Sequence, residues 1–201
     1  MSVSAAIMAG GKSRRMGQDK AWLDLGDGRP IVQRVIDVMR EVADDVFLVA
    51  NDERFATLGL RVVPDRFPEG GALGGIATGV GAATHDRVLV AACDMPFLRP
   101  DVFRLLVARS AGYDVVIPRV GEDLEALHAL YTKACLPAME RALASGKMRI
   151  VSFFDEVRVL ELGEDELRRV DPGLASFTNV NTPEELEAVR GSAAARQGGR
   201  P

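Results

Sequence analysis

The chain has 201 residues and a formal net charge of −4, and 47% of its residues are hydrophobic while 27% are charged. This composition predicts an ordinary globular protein with a sizeable core, and the acidic balance argues against a general nucleic-acid binder. No apolar run reaches the ~18 residues of a membrane helix, and the first residues lack the basic region, apolar segment and cleavage site of a signal peptide. We therefore expect a cytoplasmic protein with no nucleic-acid partner and no membrane contact.

An apolar strand followed by a basic, glycine-containing loop opens the chain. Residues 5–9 are apolar, and Gly10 and Gly11 follow them directly. Glycine lets the backbone approach a ligand, while successive peptide N–H groups and nearby cations suit phosphate oxygens. The cations of this loop are Lys12, Arg14, Arg15 and Lys20. The motif predicts a polyphosphate-binding loop, with a solvated basic turn as the alternative, and it has neither the Walker spacing nor the G-x-G-x-x-G spacing.

Strands and helices alternate through the following part of the chain. Apolar residues at helical spacing follow Pro30 as far as Ala43, and a further helix begins at Pro100. Between them, residues 65–81 predict a loop that passes into a glycine-rich helix packed closely on a neighbour, with a flexible connector as the alternative. Predicted strands cover 46–50, 60–63, 87–92 and 114–118. This alternation predicts a doubly wound, mostly parallel α/β sheet.

The pattern loosens after residue 118. A strand is predicted at 127–131, a helix from Cys135 to Ser145, and a short strand at 157–160. A final helix begins at Pro183, where Thr182 and Glu185 form a capping box. Residues 191–201 are small, polar and patternless, so we expect a disordered tail after a single domain that covers residues 1–190.

Asp94 is the candidate metal ligand. It follows the strand at 87–92, and ligands of open parallel sheets bind beyond the carboxyl ends of the strands. Asp94 and the Gly10 loop should therefore face the same crevice, where one carboxylate together with substrate phosphate oxygens suits Mg²⁺. The alternative is a turn or helix-capping aspartate, since Pro96 and a helix follow it.

The chain offers little for nucleophilic or general-base catalysis. Its cysteines, Cys93 and Cys135, are too few for a zinc knuckle or a disulfide framework, and its histidines are His85 and His128. His128 is interpreted as a strand residue and Cys93 as a small residue at a strand end. A phosphate nucleophile needs no base because its oxygen is already ionised at neutral pH, so nucleotidyl transfer between two phosphates fits what the chain provides.

With these segments placed, the ordered sequence resembles the molybdenum cofactor guanylyltransferases, also called molybdopterin-guanine dinucleotide synthases. Residues 8–17 with Asp19 and Lys20 carry the broad nucleotidyltransferase signature. The more particular motifs are Asp65 with residues 68–76, residues 93–98, residues 127–131 and residues 179–185. The chain departs from the family at Met8, where leucine is usual, and at Ala72 and Ala126, where proline is frequent.

The resemblance implies a Rossmann-like, three-layer fold of the nucleotidyltransferase type, GTP and molybdopterin as substrates, and Mg²⁺ as cofactor. It implies a role for each of several residues. The nucleotide would be held by Met8, Ala9, Gly10, Asn51 and Asp65. Lys20 and Arg15 would neutralise phosphate charge, and Asp94 would bind the metal. Asn179 and Asn181 would line the acceptor side. Asn181 is also a candidate support for the metal.

Several alternatives stay open at this point. A cytidylyltransferase acting on the same pterin is the nearest, because base contacts through the backbone discriminate GTP from CTP weakly. A sugar-phosphate nucleotidyltransferase is the second, and a non-catalytic carrier of nucleotide and pterin is a rival of another class. The resemblance also suggests transient contact with cofactor-insertion proteins or apo-molybdoenzymes.

Overall fold

The computed structural model describes residues 2–9 and 20–178. The strands in this part of the chain are β1 (Val3–Met8), β2 (Asp45–Val49), β3 (Arg61–Val63), β4 (Arg87–Ala92), β5 (Val115–Val120), β6 (Asp123–Leu124), β7 (His128–Thr132) and β8 (Val159–Leu162). The α-helices are α1 (Ile31–Arg40), α2 (Gly71–Ala82), α3 (Pro100–Arg109), α4 (Leu136–Ala144) and α5 (Glu164–Leu167). The predicted helix from Pro183 and the predicted tail lie outside the described residues.

The strands form one mixed sheet in the order β3-β2-β1-β4-β7-β5, and both β6 and β8 pair with β5. β1 lies parallel to β2 and β4, and β5 lies parallel to β8. β7 runs antiparallel to both of its neighbours, so β4 and β5 point the same way. The predicted doubly wound, mostly parallel sheet is confirmed, and the carboxyl ends of β1, β2, β4 and β5 meet at one edge.

Helices cover both faces of the sheet and make three layers. Alternate residues of β1 point to opposite faces, as strand geometry requires. Ala5 and Ile7 belong to the core beneath α1 and α3, whereas Ala6 and Met8 belong to the core beneath α2 and α4. Both cores are fully buried because the central strands are apolar on both faces and helices cover each face.

The glycine-rich helix α2 packs directly on the strands, as its sequence predicts. A Cβ atom added at Gly79 would lie 2.9 Å from Ala6 Cβ and 3.0 Å from Met8 Cε. One added at Gly74 would lie 2.5 Å from the Phe67 carbonyl oxygen. Glycine therefore sets the close approach between α2 and the sheet, and the alternative of a flexible connector is wrong.

Some element bounds differ from the sequence-based ones. The last strand lies at Val159–Leu162, two residues later than predicted. The main-chain N–H and the guanidinium of Arg158 donate to the Asp114 carboxylate, so Arg158 is not part of the strand and β8 pairs with β5 only from Val159 onward. β6 and α5 were not predicted, since two and four residues are too short for a recognisable period. In the described part of the chain no helix is long and apolar enough to cross a membrane.

Candidate active site

Main-chain hydrogen bonds continue past the carboxyl ends of the central strands. Ala9 N–H donates to the Val49 carbonyl at 3.0 Å, and Cys93 N–H donates to the Met8 carbonyl at 3.0 Å. Ala50 N–H likewise donates to the Val63 carbonyl at 3.0 Å. These bonds keep the segments that follow β1, β2 and β4 in register, so that Ala9, the residue before Asn51 and the residue before Asp94 lie along the same edge.

Lys20 and Asp94 meet at this edge. Lys20 Nζ lies 3.7 Å from Asp94 Oδ2, and the two side chains are 12% and 25% exposed. Lys20, the last cation of the predicted loop, therefore lies beside Asp94 as expected, while residues 10–19 of that loop lie outside the described residues. Together Lys20 and Asp94 place one cation and one carboxylate, both reachable by solvent, beside the ends of β1 and β4.

The main chain of Lys20 is fixed by the residues that follow it. Lys20–Trp22 is a 3-10 helix in which Ala21 is fully buried. Trp22 stacks on Phe55 with ring centroids 5.4 Å apart, and Leu23 N–H donates to the Lys20 carbonyl at 3.2 Å. A rigid attachment of this kind leaves the Lys20 side chain as the part that can adjust to a ligand.

Asn51 and Asp65 form a second polar group at the same edge. The main-chain N–H of Asp65 donates to Asn51 Oδ1 at 2.9 Å. Asp65 Oδ1 accepts hydrogen bonds from Phe67 N–H and from the Thr78 hydroxyl, both at 2.9 Å. The carboxylate of Asp65 and the amide of Asn51 are therefore held in defined orientations.

Thr78 is a site-supporting residue that the sequence analysis missed. Its side chain is fully buried, and its hydroxyl accepts from Arg66 N–H at 3.0 Å as well as contacting Asp65. Thr78 carries the one polar side chain in the sequence of α2. That isolated hydroxyl in an apolar helix was the available sign of a buried hydrogen bond. The sequence does not reveal its partner, because Asp65 lies 13 residues earlier and in a loop.

A cavity of about 460 Å³ opens at the same edge of the sheet, on the face covered by α2 and α4. The end of β5, the β5–β6 turn and residues 148–151 form its walls. Its charged lining residues are Arg119, Glu122, Asp123 and Arg149. Of the described site residues, neither Lys20 nor Asp94 lines it, so it is a separate recess beside them.

The donor set fits a metal that arrives with its substrate. Among residues 2–9 and 20–178, no three His, Cys, Asp or Glu side chains cluster as a metal site. Asp94 is a partly exposed carboxylate outside any such cluster. Mg²⁺ binds through one or two carboxylates, with water and phosphate oxygens completing its octahedron, and Asp94 is suited to that role.

His128 is a buried strand residue, as the sequence predicts. It is fully buried in β7, and its ring stacks on Phe103 at 4.3 Å and lies 4.7 Å from the ring of Phe177. Burial lowers the pKa of His128 to about 3, and the Ser176 main chain and the Asp171 carboxylate only partly oppose this shift. The imidazole is neutral at physiological pH and does not serve as a general acid.

Cys135 also lacks catalytic character. Neither cysteine is in a disulfide; Cys93 is partly buried beside Asp94 and Cys135 is fully buried. Burial raises the pKa of Cys135 to about 11, which keeps that thiol protonated.

The candidate residues that the structure describes lie along one edge of the sheet, and the other candidates lie outside the described residues. Met8, Ala9, Asn51, Asp65, Lys20 and Asp94 all follow or flank the carboxyl ends of β1 to β4. Four candidates, Gly10, Arg15, Asn179 and Asn181, lie outside the described residues. Their roles stay predictions, as do the roles assigned to the described candidates.

A doubly wound sheet that gathers a lysine, an aspartate and oriented polar groups at its carboxyl edge defines an α/β protein of the nucleotide-binding class. Within that class, the model of the MobA-like NTP transferase domain matches residues 5–159. The chain belongs to this family of nucleotidyltransferases.

Relatives and solved structures agree with this assignment. The chain is 41% identical to the probable molybdenum cofactor guanylyltransferase of Pelotomaculum thermopropionicum, over 94% of this chain and 93% of the relative. It is 40% identical to the molybdenum cofactor guanylyltransferase of Desulfosudis oleivorans, over 92% and 93%. The crystal structure of molybdopterin-guanine dinucleotide biosynthesis protein A from Archaeoglobus fulgidus superimposes with a TM-score of 0.81 at 27% identity, covering 96% of this chain and 99% of that one.

Proposed function

We propose that this chain is a Mg²⁺-dependent molybdenum cofactor guanylyltransferase, which transfers GMP from GTP to molybdopterin. An oxygen of the pterin's terminal phosphate attacks the α-phosphorus of GTP, the bond from that phosphorus to the β-phosphate oxygen breaks, and pyrophosphate leaves. The observation that carries the proposal is the approach of Lys20 Nζ to Asp94 Oδ2, 3.7 Å, at the carboxyl edge of the sheet. The names of the relatives supply the two substrates.

The protein's contribution to this reaction is positioning and charge neutralisation. The attacking phosphate oxygen is already ionised, so no side chain has to remove a proton from it. Lys20 neutralises negative charge on the phosphates, and its stabilisation is greatest when that charge shifts to the leaving pyrophosphate. Arg15 is proposed as a second cation for the same phosphates.

The nucleoside would be held at the ends of β1, β2 and β3. The main chain of Met8, Ala9 and Gly10 is proposed to hold the guanine and ribose. Asn51 and Asp65 would contact the base with polar groups whose orientation is already fixed, which lowers the entropy cost of binding.

A bound Mg²⁺ would neutralise and align the phosphate groups. Asp94 is the residue proposed to hold it, with Asn181 as a proposed support. The partial exposure of Asp94 suits a cation that enters together with GTP.

The acceptor would approach from the other side of Asp94. Asn179 and Asn181 are proposed to line that side. The cavity of about 460 Å³ at the same edge has the size of a small-molecule site, and its charged lining residues carry both signs.

A reaction of the purified protein with molybdopterin, Mg²⁺ and each nucleotide triphosphate in turn tests the proposal. We expect the guanine dinucleotide by mass spectrometry, with pyrophosphate release that requires GTP and Mg²⁺. Turnover with CTP alone would indicate the cytidylyltransferase, and turnover with sugar phosphates but not the pterin would indicate a sugar-phosphate enzyme. Binding of nucleotide and pterin without any pyrophosphate would indicate a carrier.

Asp94→Ala gives the proposal a residue-level test. We expect pyrophosphate release to fall by about 10²- to 10³-fold, the range for losing one main electrostatic contact to the transition state. Asp165→Ala, which removes an exposed carboxylate on α5, is the matched control and should leave the rate unchanged. Undiminished release in Asp94→Ala would remove Asp94 from the mechanism.

A further inference from the structure

Residues 171–177 form a turn built around a buried carboxylate, and we call it the Asp171 turn. The Asp171 side chain is 1% exposed and Ser176 is fully buried. Ser176 N–H donates to Asp171 Oδ2 at 2.8 Å, and Leu174 N–H donates to the Asp171 carbonyl at 2.9 Å. A carboxylate this deeply buried is stable only when it is hydrogen-bonded, so the turn has one well-defined geometry.

The Asp171 turn is attached to the loop that follows Asp94. Arg99 N–H donates to the Ser176 hydroxyl at 3.1 Å, and that hydroxyl donates to the Phe97 carbonyl at 3.4 Å. The guanidinium of Arg99 also reaches Asp171 Oδ1 at 3.4 Å. These contacts join residues that are more than 70 positions apart in the sequence. They fix the end of the loop, directly before α3, to the Asp171 turn.

The other end of the loop is tied to the sheet. Cys93 N–H donates to the Met8 carbonyl at 3.0 Å, directly before Asp94. Asp94 therefore lies in a short segment whose two ends are both fixed, one by the β1–β4 ladder and the other by the Asp171 turn. Release of either end would let Asp94 shift relative to Lys20.

Two further observations show that the turn is held strongly. Phe177 lies 4.7 Å from the ring of His128, which itself stacks on Phe103 of α3. Leu174 has a φ of 50°, the one positive φ at a non-glycine residue in the described part of the chain. A strained residue persists only where its surroundings determine its conformation, and such residues concentrate at functional sites.

We propose that Asp171 and Ser176 are positioning residues for Asp94, acting through Phe97 and Arg99. The inference rests on the proposed function, because it gives the metal-binding aspartate a support on a distant part of the chain. Its physical basis is that a displacement of about 1 Å in a catalytic group can reduce a rate by about 10²-fold.

Ser176→Ala is the direct test, with Ser110→Ala as its matched control. Ser110 is also a buried serine, 4% exposed, and its hydroxyl donates to the Val107 carbonyl at 2.8 Å at the opposite end of α3. Both variants lose one buried hydroxyl, but only Ser176 contacts the Asp94 loop. The measurements are the thermal unfolding midpoint, kcat and KM for GTP, and the Kd for Mn²⁺ in the presence of GTP by electron paramagnetic resonance.

We expect Ser176→Ala to raise the Kd for Mn²⁺ several-fold and to lower kcat about ten-fold. KM for GTP should be nearly unchanged, because the proposed nucleoside contacts lie at the ends of β1, β2 and β3. Ser176→Thr, which restores a hydroxyl, should recover part of the loss. Ser110→Ala should lower the unfolding midpoint and leave both the Kd and kcat unchanged. A Ser176→Ala protein that resembles Ser110→Ala in all these measurements would overturn the inference.

The metal-binding measurement separates this inference from the proposed function. If the wild-type protein binds Mn²⁺ with GTP but makes no dinucleotide, the proposed function fails while the Kd of Ser176→Ala still decides the inference. If dinucleotide forms normally and Ser176→Ala binds Mn²⁺ like the wild type, the inference alone fails.

Discussion

At the scale of single residues, the candidate site is built on the charged pair of Lys20 and Asp94, and neighbouring residues fix the main chain of each. Ala21 and Trp22 hold Lys20 in place, and the β1–β4 ladder holds Asp94. The pair is partly exposed, so its mutual attraction contributes little to the free energy of folding. Its position beside the strand ends supports the proposal that Lys20 binds phosphate and Asp94 binds a metal.

Lys20→Met tests the role of the ammonium group because it keeps much of the side-chain volume and removes the charge. We expect kcat/KM for GTP to fall by about 10²- to 10³-fold, since one charge-stabilising contact to the transition state is lost. Steady-state pyrophosphate release measures this change. Lys147→Met, at an exposed position after α4, is the control, and equal kinetics for both variants would remove Lys20 from the site.

The sequence could predict Asp94 because it follows a strand pattern closely, and Lys20 because it belongs to the basic, glycine-containing motif after β1. Thr78, Asp171 and Ser176 gave no comparable signal. Their function lies in hydrogen bonds to partners that are distant in sequence or in irregular loops, such as the contact from Arg99 N–H to Ser176. Patterns of hydrophobic spacing carry no information on such pairs.

At the scale of elements, the fold depends on how closely α2 approaches the sheet. Gly79 faces Ala6 and Met8, and Gly74 faces the Phe67 carbonyl. The same helix carries Thr78, which contacts Asp65. The close packing of α2 therefore sets both the core beneath β1 and the orientation of a residue proposed to contact the nucleotide.

Gly79→Ala should destabilise the protein by about 1 to 3 kcal/mol, the usual cost of overpacking a core, because its Cβ would contact Ala6 Cβ at 2.9 Å. The Cβ of Gly81→Ala, in the same helix, would meet the flexible tip of Arg66 at 3.3 Å and the two methyl groups of Leu136 at 3.5 and 3.8 Å, which are contacts of side chains and not of the sheet. This variant should be neutral or stabilising by up to about 1 kcal/mol through helix propensity. Denaturant unfolding compares the two, and equal effects would contradict the packing account.

Element types were more predictable than strand directions. The apolar runs of β1, β2 and β4 and the helix that begins at Pro100 were evident from spacing. The antiparallel direction of β7 was not, because alternation over residues 127–131 is the same for either direction. Direction depends on the path of the connecting chain, which local patterns do not specify.

At the scale of the whole molecule, the buried His128 couples stability to pH. Its pKa of about 3 in the folded chain lies below the unfolded value of about 6.5. The unfolded chain therefore binds one more proton at this residue below about pH 6.5, so the contribution of His128 to stability is constant above that pH and falls by about 1.4 kcal/mol per pH unit below it, down to about pH 3. Burial raises the pKa of Asp171, but hydrogen bonds, chiefly from Ser176, lower it by more, so the net shift is downward. Asp171 therefore stays ionised in this pH range.

His128→Leu should abolish this contribution. Between about pH 7.5 and about pH 5 the wild-type protein should lose about 2 kcal/mol more free energy of unfolding than the variant. The variant loses only a weak contact between the imidazole and the Ser176 main chain, so its stability at the higher pH should be close to that of the wild type. Urea unfolding at the two pH values measures both effects, and parallel losses in the two proteins would show that His128 is not buried in its neutral form.

The measurement that tests the central claim most directly is a crystal structure with GTP and Mn²⁺, in which anomalous scattering locates the metal. The account predicts one Mn²⁺ coordinated by the Asp94 carboxylate and by phosphate oxygens of a GTP whose triphosphate also contacts Lys20 Nζ. A metal and triphosphate bound away from both residues, for example against Arg119 and Arg149 in the neighbouring cavity, would contradict it.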